Sequence, residues 1–154
     1  MAALTLQEGI TSENLFSIYH DDRIVNAISY DGKTPYPELH DLAHYVSVFL
    51  KNRFVGAFLF IRTSQYSADI HSLLLRDALS YSRQAGCMII DYAFMKTEIL
   101  RLTAPVMEDL KTAKNFCLKL GFKQEGFIRD AYLKNNEPKG IYMLGMTRKE
   151  WGEQ

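Results

Sequence analysis

The sequence predicts a mixed α/β fold of the α+β kind, one sheet with helices on both of its faces. Three observations carry this. Apolar residues recur at helical spacing in three separated stretches, and they alternate or run together over strand lengths in six others. Turn residues punctuate the boundaries. The resulting order is helix, three strands, helix, strand, helix, two strands, which layers as a sandwich. At 154 residues, with 47% hydrophobic and 23% charged, the chain is expected to form a single domain over residues 1–154.

Ser12 to Tyr19 carries Leu15, Phe16 and Tyr19 on one side and suits a short helix capped by Ser12 or Thr11. Ile24 to Ile28 continues it by a turn or two. Asp31-Gly32-Lys33-Thr34-Pro35-Tyr36-Pro37 is turn chemistry. His44 to Leu50 alternates, with Tyr45, Ser47 and Phe49 opposite Val46, Val48 and Leu50. Lys51-Asn52-Arg53 and the apolar run Phe54 to Ile61 then complete an antiparallel hairpin. Gly56 inside that run marks a bulge or a close approach of another backbone.

The middle of the chain reads in two frames. In one, His71 to Ala85 is a helix ended by Gly86. In the other, Ser67 to Leu75 is a third strand, and a helix from Ser80 to Lys96 carries Tyr81, Ala85, Met88, Ile89, Tyr92 and Met95 as its apolar stripe. Gly86 inside that helix would cost about 1 kcal/mol. Glu98 to Val106 reads as a strand. Met107-Glu108-Asp109 opens a helix to Leu120, with Asp109 as its cap and Leu110, Ala113, Phe116, Cys117 and Leu120 facing inward. Gly121 stops it. Phe122 to Leu133 is extended, Lys134-Asn135-Asn136-Glu137 turns, and Lys139 to Arg148 is the last strand.

Composition removes several functions. No apolar run is long enough to cross a membrane as a helix, and the N-terminal residues lack the pattern of a signal peptide. A cytoplasmic protein is expected. Two cysteines, Cys87 and Cys117, make no disulfide scaffold, and no His-x-x-x-His or Cys-x-x-Cys spacing exists, so no metal site is expected. Eighteen basic against eighteen acidic groups argues against a nucleic-acid partner. The charge is nevertheless uneven. Residues 1–50 hold two basic and seven acidic groups, a net of −5, and the remaining residues balance it.

The tail Leu120-Gly121-Phe122-Lys123-Gln124-Glu125-Gly126-Phe127-Ile128-Arg129-Asp130-Ala131-Tyr132-Leu133, followed by Tyr142-Met143-Leu144-Gly145-Met146 and Glu150-Trp151, resembles the end of GNAT-superfamily N-acetyltransferases. It is most similar to the branch that acetylates ribosomal proteins and polyamines. The resemblance implies a central, mostly antiparallel sheet with one splayed parallel pair and helices on both faces. It also favours the second frame for the middle of the chain. More narrowly, Val55-Gly56-Ala57-Phe58 and Asp69-Ile70-His71-Ser72 resemble GNAT-like proteins of tailed phages, some of them head-assembly or internal virion proteins.

As the resemblance implies, acetyl-CoA lies between the splayed strands, its pantetheine arm paired with the backbone of Leu73, Leu74 and Leu75. Its pyrophosphate rests on amides at the next helix start, where free N–H groups and the helix dipole favour anions. Arg76, Ser80, Tyr81, Ser82 and Arg83 stand nearby, and Asp77 opposes them. The family signature Gln/Arg-x-x-Gly-x-Gly/Ala is matched only in part, by Arg83-x-x-Gly86-x-Met88. The last helix departs too, with Leu110 where the family often has Asn and Cys117 where it often has the Tyr that protonates the leaving thiolate. Cys117 is then the candidate proton donor, or a small core residue. Asp69 and His71 share one strand face, and His71 suits the general base that a protonated amine needs. Arg129, Asp130 and Tyr132 fall in the strand that lines the acceptor cleft. The acidic residues Asp21, Asp22, Asp31 and Glu38 fall where the family binds its acceptor, an amine-bearing small molecule or a protein.

Two functions are therefore expected to compete. One is an acetyl-CoA-dependent N-acyltransferase acting on a primary amine. The other is a non-catalytic GNAT-like platform, a phage assembly or virion component whose partners are virion proteins and whose location is the phage particle or its precursor. An acyl-CoA sensor without turnover is a third. A homodimer is compatible with the family.

Overall fold

Local signals place most elements of the computed structural model, which describes residues 3–33 and 35–153. Leu4–Glu8 forms β1, an alternating stretch that the sequence reading passed over. Its Leu4 is buried, and it pairs antiparallel with Ala43–Leu50 (β2). Ser12–Tyr19 is α1, capped by the Thr11 hydroxyl, which accepts from the Asn14 amide. Asp22–Ile28 is α2, capped by Asp21. Of the turn expected over residues 31–37, Thr34 lies outside the described residues.

β2 and Arg53–Ser64 (β3) join through Lys51 and Asn52, both at positive φ, the primed turn that fits a hairpin's twist. Gly56 proves to be both of the things its position implied. The ladder slips between Val48 and Phe49, and a Cβ on Gly56 would stand 2.7 Å from the Cα of Leu74 on Ser67–Leu74 (β4). The second frame for the middle is the observed one, with a change at the helix start. Arg76–Tyr81 is a 3-10 turn, and α3 spans Ser82–Lys96. Its buried residues are Ala85, Gly86, Ile89, Ile90, Ala93 and Phe94, whereas Met95 is 56% exposed. The stripe is rotated because α3 packs on α4 (Lys111–Leu120) as well as on the sheet: a Cβ on Gly86 would meet Leu120 at 2.8 Å and Phe116 at 3.1 Å. Gly86 is where two helices touch.

β5 is Arg101–Met107. Asp109 does not cap α4. Its carboxylate accepts from Tyr132 (2.9 Å) and pairs with Lys134 (3.0 Å), and Ala113 is exposed. Gly121 ends α4 at φ 113°, as its position implied. Lys123–Lys134 (β6) and Glu137–Thr147 (β7) make a hairpin through Asn135 and Asn136, both at positive φ. The last strand stops before Arg148, where Thr147 and Glu150 form a capping box that opens α5 (Arg148–Gly152).

The seven strands form one sheet in the order β1-β2-β3-β4-β5-β7-β6, with β4 and β5 its parallel pair. Val48, Phe58, Leu102, Leu144 and Met146 bury against Ile89, Ile90 and Phe94 of α3 on one face. Tyr45, Ala57, Leu59 and Leu73 bury against Ile18 of α1 and Ile24 of α2 on the other. The helices thus cover both faces, as the element order required. No helix among the described residues is long and apolar enough to cross a membrane.

Candidate active site

β4 and β5 pair over three residues, Ser67–Asp69 against Arg101–Thr103, and then diverge. Arg101 donates its amide to Tyr66, toward β4. By alternation, the position of Pro105 that carries no N–H also faces the opening, where no ladder bond is lost. On the other wall, Leu75 donates to Val55 of β3 (2.9 Å), so Leu73 and Leu75 spend their backbone groups on β3. Ser72 and Leu74 turn theirs toward the cleft. Of the three leucines expected to present backbone to a pantetheine arm, only Leu74 does so. Ser72 is the member the sequence reading missed, although strand parity predicts it once the register is known.

The phosphate position moves as well. The first amides of the 3-10 turn, Arg76 and Asp77, have no partner within it, while the Ser82 amide at the start of α3 is used by the Leu79 carbonyl. The free N–H groups therefore stand at Arg76 and Asp77, with Ser80, Tyr81, Ser82 and Arg83 following. The partial motif around Gly86 lies inside α3 against α4 and is no phosphate loop. The family signature falls instead on Arg76-Asp77-Ala78-Leu79-Ser80-Tyr81, with Leu79 and Tyr81 in place of its glycines. Asp77 forms an ion pair with Arg53 (3.0 Å), which offsets the charge that would repel a phosphate.

Asp69, His71 and Leu73 project on the face covered by α1 and α2. His71 sits across from Leu59, which sits across from Tyr45. Burial lowers the His71 pKa from its ordinary value, and the nearby carboxylates of Asp69 and Glu38 oppose that shift. Burial raises Asp69, opposed by His71 and Arg101. His71 is therefore an uncharged imidazole at neutral pH, close to two carboxylates. Tyr45 completes the surroundings. Its hydroxyl accepts from the Glu38 amide (3.1 Å), the Tyr19 phenol lies nearby, and burial raises both phenols. Glu38 was expected at the acceptor side, whereas Tyr19 and Tyr45 had no signal in the sequence that tied them to His71.

Cys117 is not brought to this group. It packs against the α3 and α4 core on the opposite face of the sheet, and burial pushes its thiol up to about 11. Two of the four acidic residues expected at the acceptor side hold structure instead. Asp21 caps α2, and Asp31 accepts from the amides of Asn135 (3.0 Å) and Asn136 (2.8 Å) at the β6–β7 turn. Asp22 lies exposed in the first turn of α2. Glu38 alone stands by His71, with His40 on its carboxylate (3.2 Å). Tyr132 is buried beneath Tyr30 (5.6 Å between ring centres), whereas Arg129 and Asp130 are exposed. A cavity of about 490 Å³ also opens between Glu8, His44, Arg62 and Tyr92; Tyr45 lines it too, but no residue of β4, of the 3-10 turn or of β5 does.

A family model for the acetyltransferase (GNAT) domain matches residues 61–140, which include β4, the 3-10 turn, α3, β5 and α4. This chain belongs to the GNAT acetyltransferase family. Among solved structures, its fold is similar to that of the spermidine N-acetyltransferase of Vibrio cholerae in complex with CoA and spermine. The TM-score there is 0.81 at 16% identity over 96% of this chain and 97% of that one. It is likewise similar to a chimera of the Vibrio cholerae enzyme with hSSAT (TM-score 0.80, 15% identity, 98% and 99% covered). It also resembles the Vibrio cholerae spermidine/spermine N-acetyltransferase in complex with manganese ions (TM-score 0.77, 16% identity, 97% and 95% covered). At such identities the likeness shows the fold. No curated protein matches the sequence.

Proposed function

We propose that this GNAT protein transfers an acetyl group from acetyl-CoA to a primary amine, with His71 as the general base. The observation that carries the reading is the neutral His71 on β4, at the side of a cleft whose walls diverge after three paired residues. Acetyl-CoA, when bound, supplies an activated acetyl thioester. Ser72 and Leu74 would hold its extended arm along β4, and the Arg76 and Asp77 amides with Ser80 and Ser82 would meet its phosphates. The residues present fit such a group, since the cleft backbone faces outward and the helix start has free amides. The missing glycines restrict how closely phosphate approaches Leu79 and Tyr81.

The acceptor enters from the α1 and α2 face. An ammonium there meets Glu38 and Asp69. His71 takes one proton from it, leaving the nitrogen lone pair free to attack the thioester carbonyl. As the N–C bond forms the C–S bond would break, CoA would leave as its thiolate, and the amine's second proton would reach that sulfur through solvent. The Asp69 and Glu38 carboxylates favour the imidazolium formed on His71. A polyamine suits this carboxylate-lined entry, and the solved relative of the same fold carries spermine. The domain is taken to span residues 1–154, and a cytoplasmic location follows from the proposed cofactor. Cys117 is left as a core residue rather than the proton donor.

The GNAT-like platform that assembles virions is the competing outcome, favoured by Leu79 and Tyr81 standing where glycines belong. Isothermal titration with acetyl-CoA separates the two. Saturable binding, with turnover once spermidine is added, supports the enzyme. No heat of binding at millimolar acetyl-CoA overturns it.

A further inference from the structure

We propose that Arg23 is a latch on the cleft, holding the Leu74 carbonyl until a pantetheine arm displaces it. The proposal rests on the acyl-CoA reading above. Leu74 belongs to the β4 residues whose backbone turns away from β3, and β5 has already diverged at that point. Its carbonyl is an acceptor aimed into the opening, where an extended ligand would form strand-like hydrogen bonds. The Arg23 guanidinium, from the first turn of α2, donates to it through Nη2.

The base of this side chain is fixed. Asp21 caps the helix start and Ile24 is buried beneath α2, so the reach of Arg23 is set by a rigid helix end. The tip is held differently. Arg23 is exposed, and among the described residues its hydrogen bond is to Leu74 alone, with no carboxylate. A guanidinium on one neutral carbonyl at the edge of water exchanges readily with solvent, whereas one forked onto a carboxylate would not. The contact therefore closes the cofactor wall reversibly. Apparent affinity for the arm is reduced by the fraction of molecules in which the latch is shut.

Stopped-flow binding of CoA to the full-length wild type, Arg23→Ala and Arg23→Lys tests this. Arg23→Ala is expected to bind about three- to tenfold tighter, the worth of one such hydrogen bond. The gain should lie in the association rate with the dissociation rate unchanged, because only the free protein is altered. Arg23→Lys, which keeps the charge but not the length and planar head of the guanidinium, should fall between and serves if the alanine variant does not fold. Affinities equal within about twofold would overturn the latch while leaving the acyl-CoA reading intact. Weaker binding by Arg23→Ala would overturn it by making Arg23 a cofactor ligand. No CoA binding by any of the three proteins would remove the acyl-CoA reading and the latch with it.

Discussion

Replacing Gly56 with alanine should unsettle the cofactor wall and the fold together. Gly56 has φ 140°, a conformation that side-chain-bearing residues rarely adopt. A Cβ there would stand 2.7 Å from the Leu74 Cα, 2.8 Å from the Leu73 carbonyl oxygen and 3.0 Å from the Leu75 nitrogen. These are backbone atoms, so no rotamer change relieves them. Ordinary carbon contacts lie at about 3.5–4.0 Å, so β3 and β4 would have to separate by roughly 1 Å. Backbone strain of about 1–3 kcal/mol adds to overpacking of about 1–3 kcal/mol, for a total of about 2–6 kcal/mol. For a chain of this size that lowers the melting temperature by roughly 5–15 °C. Differential scanning calorimetry measures it, with Gly126→Ala as control, since a Cβ on Gly126 meets nothing within 4 Å. Because Leu74 moves, acetyl-CoA binding should weaken as well. A Gly56→Ala protein that melts with the wild type and the control would refute the close-approach argument.

His71→Asn should lower kcat by about 10²- to 10⁴-fold and remove the acid limb of the pH profile, whose midpoint in the wild type lies below the ordinary histidine value of about 6.5 because burial lowers the His71 pKa. The same shift acts on stability. The unfolded chain protonates His71 before the folded one does, so stability is lost as pH falls through about 6.5, and chemical denaturation should show a smaller loss in His71→Asn. Asp31→Ala removes the acceptor for two turn amides and should cost about 1–2 kcal/mol, measured by urea denaturation. Cys117→Ala should change kcat by less than about tenfold, since a thiol pushed up to about 11 is a poor acid near neutral pH.

Much of the fold was legible because local chemistry and tertiary structure agree. Thr11 capping α1, Lys51-Asn52 and Asn135-Asn136 turning the hairpins, and Gly121 stopping α4 are each read from neighbouring residues. Misreadings arose where a distant group claimed a residue. Asp109 has the form of a helix cap, but Tyr132 and Lys134 take its carboxylate. Gly86 looked costly in a helix, yet α4 needs its bare backbone there. The 3-10 turn before α3 shifted the free amides from Ser80–Arg83 to Arg76–Asp77, which no periodicity reports. Of the site, the Asp69–His71 pair was legible from strand alternation. Glu38 was expected at the acceptor side from the family resemblance, but Tyr45 and Tyr19 were not, because β2 and α1 converge on His71 only after the sheet has formed.

Mass spectrometry of spermidine incubated with acetyl-CoA and the purified protein tests the central claim most directly. The account predicts monoacetylated spermidine with the wild type and a rate at least about a hundredfold lower with His71→Asn. Equal acetylation by both proteins would contradict His71 as the base, and no acetylated amine from a wild type that is folded would contradict the transferase itself.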